Sequence, residues 1–229
     1  MQVNSLKVVS CLLFIALLAA DPSNKWEQPA DCSAARKNLP PYTEPIKAFE
    51  YDARTPAVDV ISNVDEGALR IQTIEFDTGG GVSCSAELIA PDHGGKYPGV
   101  VWLGSGDKEW EPYALDFSKL GAVSILPDWC GKAPIVDARA YYNDRVQTVI
   151  GVRRAADILA ARDDVDRKRI AFVGHSGGTI WGADALAVDK RFKAAVLEVG
   201  LQGFTYHICT GPIPFAVGVR KELKNQLLS

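Results

Sequence analysis

A serine between glycines in the second half of the chain is the residue best placed for nucleophilic chemistry. It lies in the run Gly174-His175-Ser176-Gly177-Gly178, after the apolar stretch 169–173 and before the helix-like stretch 179–188. A strand, a Gly-x-Ser-x-Gly turn and a helix in this order are typical of a nucleophile elbow, a sharp turn that exposes the serine hydroxyl above a sheet. The pattern therefore predicts Ser176 as a nucleophile, the alternative being a glycine-rich turn that only joins a strand to a helix.

The same turn predicts where negative charge on a substrate could be stabilised. Gly177 opens the helix after the serine, and the first N–H groups of a helix have no partner within it. We therefore expect its amide to point to the place where an oxyanion forms. A second donor is expected from the loop Gly104-Ser105-Gly106, which follows an apolar run, with Ser105 or Gly106 as the donor.

Apolar runs that alternate with helical ones indicate an α/β fold, with a largely parallel sheet and flanking helices after an antiparallel start. Strands are predicted at 69–77, 82–90, 99–103, 122–126, 169–173 and 192–199, the first two joined as a hairpin. Helices are predicted at 111–120, 138–162 and 179–188. These elements place the serine at the carboxyl end of a buried strand.

Side-chain periodicity gives each helix an expected inner and outer face. In the helix at 138–162, one buried face is shared by Val149, Val152, Ala156 and Leu159. Five charged residues are expected to face solvent, namely Arg153, Arg154, Asp157, Asp184 and Asp189. Four tryptophans either line an acyl or sugar pocket or pack in the core, namely Trp102, Trp110, Trp129 and Trp181.

Composition and the amino-terminal sequence restrict the class of protein. The 229 residues are 47% hydrophobic and 23% charged with a formal net charge of −3, and no basic run suggests a nucleic-acid partner. The apolar stretch 8–20 followed by small residues predicts a signal peptide cleaved near Ala20, hence a secreted or periplasmic protein without membrane attachment after cleavage. Residues 21–57 are rich in proline and are predicted to form an extended arm before the domain at 58–229.

Four of the five cysteines lie beyond the predicted signal peptide, namely Cys32, Cys84, Cys130 and Cys209. In an oxidising compartment they allow three full pairings. Cys84 alternates with apolar residues, so it also fits a small buried hydrophobic residue. The cysteine spacing matches no zinc motif, and the predicted chemistry requires no metal or organic cofactor.

With the elbow in this setting, the chain resembles the α/β-hydrolase superfamily, and within it the dienelactone hydrolase and acetyl xylan esterase branch. Four further stretches carry the resemblance, namely Pro98–Gly104, Leu126–Gly131, Val165–Ile170 and Arg191–Val196. They are similar to the third strand with its oxyanion loop, a Pro-Asp-Leu-Tyr-Gly-like segment, the entry to the elbow and the sixth strand. Many dienelactone hydrolases have a cysteine nucleophile, so Ser176 favours ester substrates in general.

The resemblance implies an acid after a seventh strand and a histidine after an eighth. Only about fifty residues follow Ser176, so the domain is expected to be short at its carboxyl end and to lack these strands. His207 is then the candidate base and Glu198 the candidate acid. Three other polar residues are interpreted as structural: His93 and Asp128 as turn residues, and His175 as a residue that either packs in the core or supports the site from behind the nucleophile.

Two hypotheses of function follow. The first is a secreted serine carboxylesterase that acts on small ester substrates through an acyl-enzyme on Ser176. The alternative is a truncated or degenerate hydrolase relic without catalysis, or a binding module. A serine hydroxyl is a weak nucleophile without a base, so we expect Ser176 to be correctly placed but weakly activated. We also expect self-association or poor solubility, because the apolar strand at 192–199 would form an open sheet edge unless the tail 200–229 covers it.

Overall fold

The computed structural model describes residues 47–52, 54–104, 110–131 and 138–200, with the backbone alone for 138–142. Several predictions made from the sequence fall outside these ranges. They concern the signal peptide, most of the proline-rich arm, Ser105, Gly106, His207, Cys32 and Cys209. In the described part, no helix has the length and apolar character needed to cross a membrane.

The described residues form seven strands and three helices, and all of them except the first strand follow the predicted order. The strands are β1 (Val58–Glu66), β2 (Leu69–Asp77), β3 (Ser83–Pro91), β4 (Tyr97–Leu103), β5 (Val123–Pro127), β6 (Val165–His175) and β7 (Phe192–Glu198). The helices are α1 (Glu111–Lys119), α2 (Ala138–Ala161) and α3 (Gly177–Val188). Strand β6, which leads to the serine, is longer than the predicted strand at 169–173. It begins at Val165, within the segment 163–166 that was predicted to be a loop.

The strands form one mixed sheet in the order β1-β2-β3-β5-β4-β6-β7. The pairs β5–β4, β4–β6 and β6–β7 are parallel, whereas β1–β2, β2–β3 and β3–β5 are antiparallel. The α/β class is therefore confirmed, but the prediction of a largely parallel sheet is wrong for the described residues. The difference arises partly from β1, an unpredicted edge strand whose side chains are almost all exposed, so that no continuous apolar run indicates it.

The core occupies both faces of the sheet. On one face, β4, β5 and β6 pack against α2, whose predicted inner residues Val149, Val152, Ala156 and Leu159 are fully buried. On the other face, Val100 and Trp102 of β4 pack against Ala114 of α1. Because strands β4 and β5 are covered on both faces, they read as uninterrupted apolar runs in the sequence.

Three of the five charged residues that were predicted to face solvent are buried, which is a second correction. Arg154 and Asp157 are only 6% and 7% exposed, and Asp189 is only 5% exposed. They form a charged cluster around Arg191, which donates hydrogen bonds to the carboxylates of Asp157 and Asp189. Burying these charges requires such pairing, because an unpaired ion away from water is costly.

The segment that precedes the sheet covers this cluster. The ring of Tyr51 lies between the guanidinium groups of Arg153 and Arg154, each 4.5 Å from the ring centroid. Arg153 and Arg154 also donate hydrogen bonds to the backbone carbonyls of Phe49 and Arg54. Residues 47–52 and 54 thus occupy the side of α2 that its periodicity assigned to solvent.

A disulfide bond decides the open question about Cys84. Cys84 in β3 is bonded to Cys130, which follows β5, and both cysteines are almost completely buried. The bond therefore attaches the segment after β5 to the neighbouring strand. Disulfides persist in oxidising compartments, where the predicted signal peptide would send the chain.

Candidate active site

Ser176 lies in a sharp turn between the end of β6 and the start of α3. Its φ of 51° and ψ of −118° are rare for a residue with a side chain, and such strain persists only where the surroundings enforce it. The Ser176 N–H donates to the carbonyl oxygen of Glu198 at 3.0 Å, and the Thr179 N–H donates to the carbonyl oxygen of Ser176 at 3.1 Å. Strand β7 and the first turn of α3 therefore hold the serine in place.

Close backbone contacts account for the glycines on both sides of the serine. A Cβ atom on Gly178 would overlap the carbonyl oxygen of Leu103, the last residue of β4. A Cβ atom on Gly174 would lie 2.9 Å from the carbonyl oxygen of Gly178. The start of α3 thus packs directly against the end of β4, at a distance that only glycine permits.

This packing brings together the two segments that were predicted to donate to an oxyanion. Gly177 is the first residue of α3, where N–H groups lack helical partners. The backbone N of Gly104, the first residue after β4, would lie 3.2 Å from a Cβ on Gly178. The start of the loop Gly104-Ser105-Gly106 is therefore adjacent to the elbow.

The predicted acid lies at the elbow, although the contacts are made by its backbone. Glu198 ends β7 opposite His175 in the register of β6 and β7. Its carbonyl oxygen accepts the Ser176 N–H and lies 2.9 Å from the Thr179 hydroxyl oxygen. The residue as a whole is exposed.

The three residues interpreted as structural have structural contacts. The His175 ring packs against Trp110 with centroids 4.8 Å apart, and its buried Nδ1 has no hydrogen-bond partner among the described residues. His93 lies exposed in a turn, where its carbonyl accepts the Tyr97 hydroxyl. The N–H of Asp128 donates to the carbonyl oxygen of Ser85 at 2.8 Å, directly after β5.

A cavity of about 120 Å³ is lined by three of the four tryptophans. Trp102, Trp110 and Trp129 line it together with polar residues that include Glu87. Trp181 instead is 4% exposed in the core, with its ring centroid 4.7 Å from that of Trp129. Trp181 thus packs in the core, whereas Trp102 both packs in the core and lines the cavity.

The sequence did not predict two side-chain contacts that hold the site together. Trp129 Nε1–H donates to the carbonyl oxygen of Gly104 at 2.8 Å, and the Thr179 hydroxyl oxygen lies 2.9 Å from the carbonyl oxygens of Gly174 and Glu198. The segment Leu126–Gly131 carried part of the family resemblance, which was the available signal for Trp129. No described group of three His, Cys, Asp or Glu residues could hold a metal ion.

Comparisons with known proteins identify the fold. No family model matches the sequence, and no curated protein matches it. An acetyl xylan esterase from Paenibacillus sp. R4 superposes with a TM-score of 0.63 at 19% identity, over 80% of this chain and 66% of that chain. Acetyl xylan esterase 1 from Thermoanaerobacterium sp. JW/SL YS485 superposes with a TM-score of 0.59 at 17% identity, over 68% of this chain and 56% of that chain. The chain has the α/β-hydrolase fold.

A methylesterase shares this α/β-hydrolase fold with a TM-score of 0.58 at 21% identity, over 92% of this chain and 48% of that chain. The chain thus spans between about half and two thirds of the length of these neighbours. Acetyl xylan esterases belong to the branch that the sequence resembles.

Proposed function

We propose that this α/β-hydrolase is a serine carboxylesterase that acts on small ester substrates through an acyl-enzyme on Ser176. The strained turn at Ser176 is the observation that carries the proposal. A rare backbone conformation that is fixed by β7, α3 and two close glycine contacts indicates a residue held for chemistry rather than a simple connection. The neighbours are esterases, which supports an ester as the substrate.

The proposed reaction has two half-reactions. The Ser176 Oγ attacks the ester carbonyl carbon, and a base takes the hydroxyl proton. His207 is the candidate for this base. The Gly177 N–H and an amide of the Gly104–Gly106 loop, at Ser105 or Gly106, stabilise the oxyanion. Collapse of the tetrahedral intermediate releases the alcohol, which takes up the proton. In the second half-reaction, water attacks the acyl-enzyme and gives its proton to the base, and the Ser176 oxygen leaves and takes the proton back. Glu198 is the candidate acid that orients the base.

Hydrolysis of p-nitrophenyl acetate tests this proposal. We expect slow turnover preceded by a burst of p-nitrophenol, because formation of the acyl-enzyme releases the alcohol before water attacks. Ser176→Ala should abolish the burst, while its steady rate stays close to that of the wild type, since oxyanion stabilisation and binding alone retain on the order of 10³–10⁴-fold catalysis over water. A burst that persists in Ser176→Ala would contradict the proposal.

The variant His207→Ala shows how strongly Ser176 is activated. Little change from a slow wild type agrees with the weak activation expected from the sequence. A different result is that the wild type turns over rapidly and that His207→Ala and Ser176→Ala lower the rate equally. That result would show a complete triad with His207 as its base, and the expectation of weak activation would then be wrong.

We further propose that the enzyme acts outside the cytoplasm, as the predicted cleavage near Ala20 implies. The Cys84–Cys130 disulfide supports this location. The amino-terminal sequence of the exported protein checks it, and an exported chain that still begins at Met1 would contradict cleavage.

We propose as well that the chain self-associates through β7. This strand lies at the edge of the described sheet, and Val196, Leu197 and Val199 are 55%, 46% and 63% exposed. The unpaired N–H and C=O groups of such an edge can pair with another chain. Light scattering should show an apparent mass that rises with concentration, whereas a monomer at every concentration would contradict the proposal.

A further inference from the structure

One tryptophan side chain contacts both backbone segments that were predicted to bind an oxyanion. The indole Nε1–H of Trp129 donates to the carbonyl oxygen of Gly104 at 2.8 Å. The six-membered part of the same ring, on the edge next to Nε1, faces the start of α3, where a Cβ on Gly177 would lie 2.9 Å from Cζ2 of Trp129. The ring therefore fills the space between the end of β4 and the elbow.

The Trp129 ring is itself fixed from several sides. The next residue, Cys130, is bonded to Cys84 in β3. The preceding residue, Asp128, donates its N–H to the carbonyl oxygen of Ser85, also in β3. The ring packs against Trp181 with centroids 4.7 Å apart. Since both sequence neighbours are attached to the sheet, the indole N–H has little freedom to leave the Gly104 carbonyl.

The hydrogen bond from Trp129 to the Gly104 carbonyl also restricts the candidate oxyanion donor in the same peptide unit. A trans peptide unit is planar, so its N–H points opposite to its C=O. The carbonyl of Gly104 shares its peptide plane with the N–H of the next residue, which is Ser105. Holding this carbonyl therefore fixes the direction of an N–H group that is a candidate for the second oxyanion donor.

We infer that Trp129 is a positioning residue, which orients the Gly104 peptide for oxyanion stabilisation and sets its distance from Gly177. This inference rests on the proposed esterase function for its catalytic meaning, but the Trp129–Gly104 hydrogen bond is independent of that function. The role belongs to the indole N–H and not to the bulk of the ring, so a variant that keeps an aromatic ring can separate the two.

The test compares Trp129→Phe with the matched variant Trp181→Phe. Each variant keeps an aromatic ring and loses one indole N–H, and both rings contact the start of α3 at Gly177. The variants differ in that the N–H of Trp129 donates to the Gly104 carbonyl, so the comparison isolates this hydrogen bond from the packing of the rings. We expect Trp129→Phe to lower the maximal rate of fluorophosphonate labelling about tenfold, the effect of losing one hydrogen bond. The half-saturating probe concentration should stay within about twofold, and Trp181→Phe should keep both constants within about twofold of the wild type. All assays run well below the unfolding temperature of each variant.

Hydrogen exchange of peptides that contain Gly104 gives a second readout that does not depend on activity. We expect faster exchange in Trp129→Phe than in the wild type and no change in Trp181→Phe. If the wild type is not labelled at all, the proposed function fails, and hydrogen exchange alone then decides whether Trp129 holds the Gly104 peptide. The inference is overturned by unchanged exchange in Trp129→Phe, by an unchanged maximal labelling rate in that variant, or by equal losses in both variants.

Discussion

The variant Gly178→Ala should lose both stability and the reactivity of Ser176. The added Cβ would overlap the carbonyl oxygen of Leu103, and both partners are backbone that side-chain rotation cannot relieve. Helix α3 would have to move away from β4. We expect a loss of about 3 kcal/mol in the free energy of unfolding, the upper end for overpacking a core. A displacement of about 1 Å at a reacting group costs on the order of 10²-fold in rate, so labelling of Ser176 should fall by at least about that factor.

Urea unfolding and the rate of fluorophosphonate labelling measure these effects. Gly94→Ala is the matched control, because Gly94 is exposed and a Cβ there would meet no atom within 4 Å. This control should change the free energy of unfolding by less than about 0.5 kcal/mol. A Gly178→Ala protein with the stability and labelling rate of the wild type would show that α3 and β4 do not approach as closely as described.

Replacing Arg191 with methionine should be the most destabilising change away from the elbow. The Arg191 guanidinium binds the carboxylates of Asp157 and Asp189, whose side chains are only 7% and 4% exposed. Without Arg191, Asp157 still has Arg154 and Tyr51 as partners, and Asp189 still has Arg153. We therefore expect a loss of about 3 kcal/mol in the free energy of unfolding, the lower end for breaking a buried ion pair. Arg70→Met is the control, since the Arg70 pairs with Asp65 and Asp92 are exposed and such pairs contribute less than about 1 kcal/mol. Equal losses in the two variants would contradict this account.

The same ion pairs give stability a defined pH dependence. Burial alone would raise the pKa of Asp189, but the hydrogen bonds and charge of Arg191 outweigh burial and lower this pKa below 3.8. The unfolded chain therefore binds this proton more readily than the folded chain does. The resulting stability is complete above pH 3.8 and is lost as the pH falls through the lower native pKa. The difference in free energy of unfolding between wild type and Asp189→Asn should shrink below pH 3.8, and a constant difference would contradict the assignment.

The sequence predicts those parts of the fold that depend on local pattern. Apolar runs between glycines located strands β2 to β7, and the glycines around Ser176 located the elbow. Strand β1 was missed, because an exposed edge strand needs no apolar run. The burial of Arg154 and Asp157 could not be predicted from the periodicity of α2, because their cover is distant in sequence: Arg154 donates to the carbonyl of Arg54, 100 residues earlier.

The site divides in the same way. Ser176 and Gly177 follow from a contiguous motif, whereas the contact between Trp129 and Gly104 requires β4 and β5 to be neighbours in the sheet. The pairing of Cys84 with Cys130 likewise depends on β3 lying beside β5. Spacing alone allowed three full pairings. Residues that become neighbours only through sheet order are therefore the ones that the sequence left open.

Peptide mapping after reaction with a fluorophosphonate probe tests the central claim most directly. The wild type is labelled to completion, digested, and the mass of each serine-containing peptide is determined by mass spectrometry, with Ser176→Ala as the control. We expect one modified peptide, with the phosphonate on Ser176 in the wild type and no adduct in Ser176→Ala. An adduct on another serine, or the same adduct yield in both proteins, would contradict the assignment of Ser176 as the nucleophile.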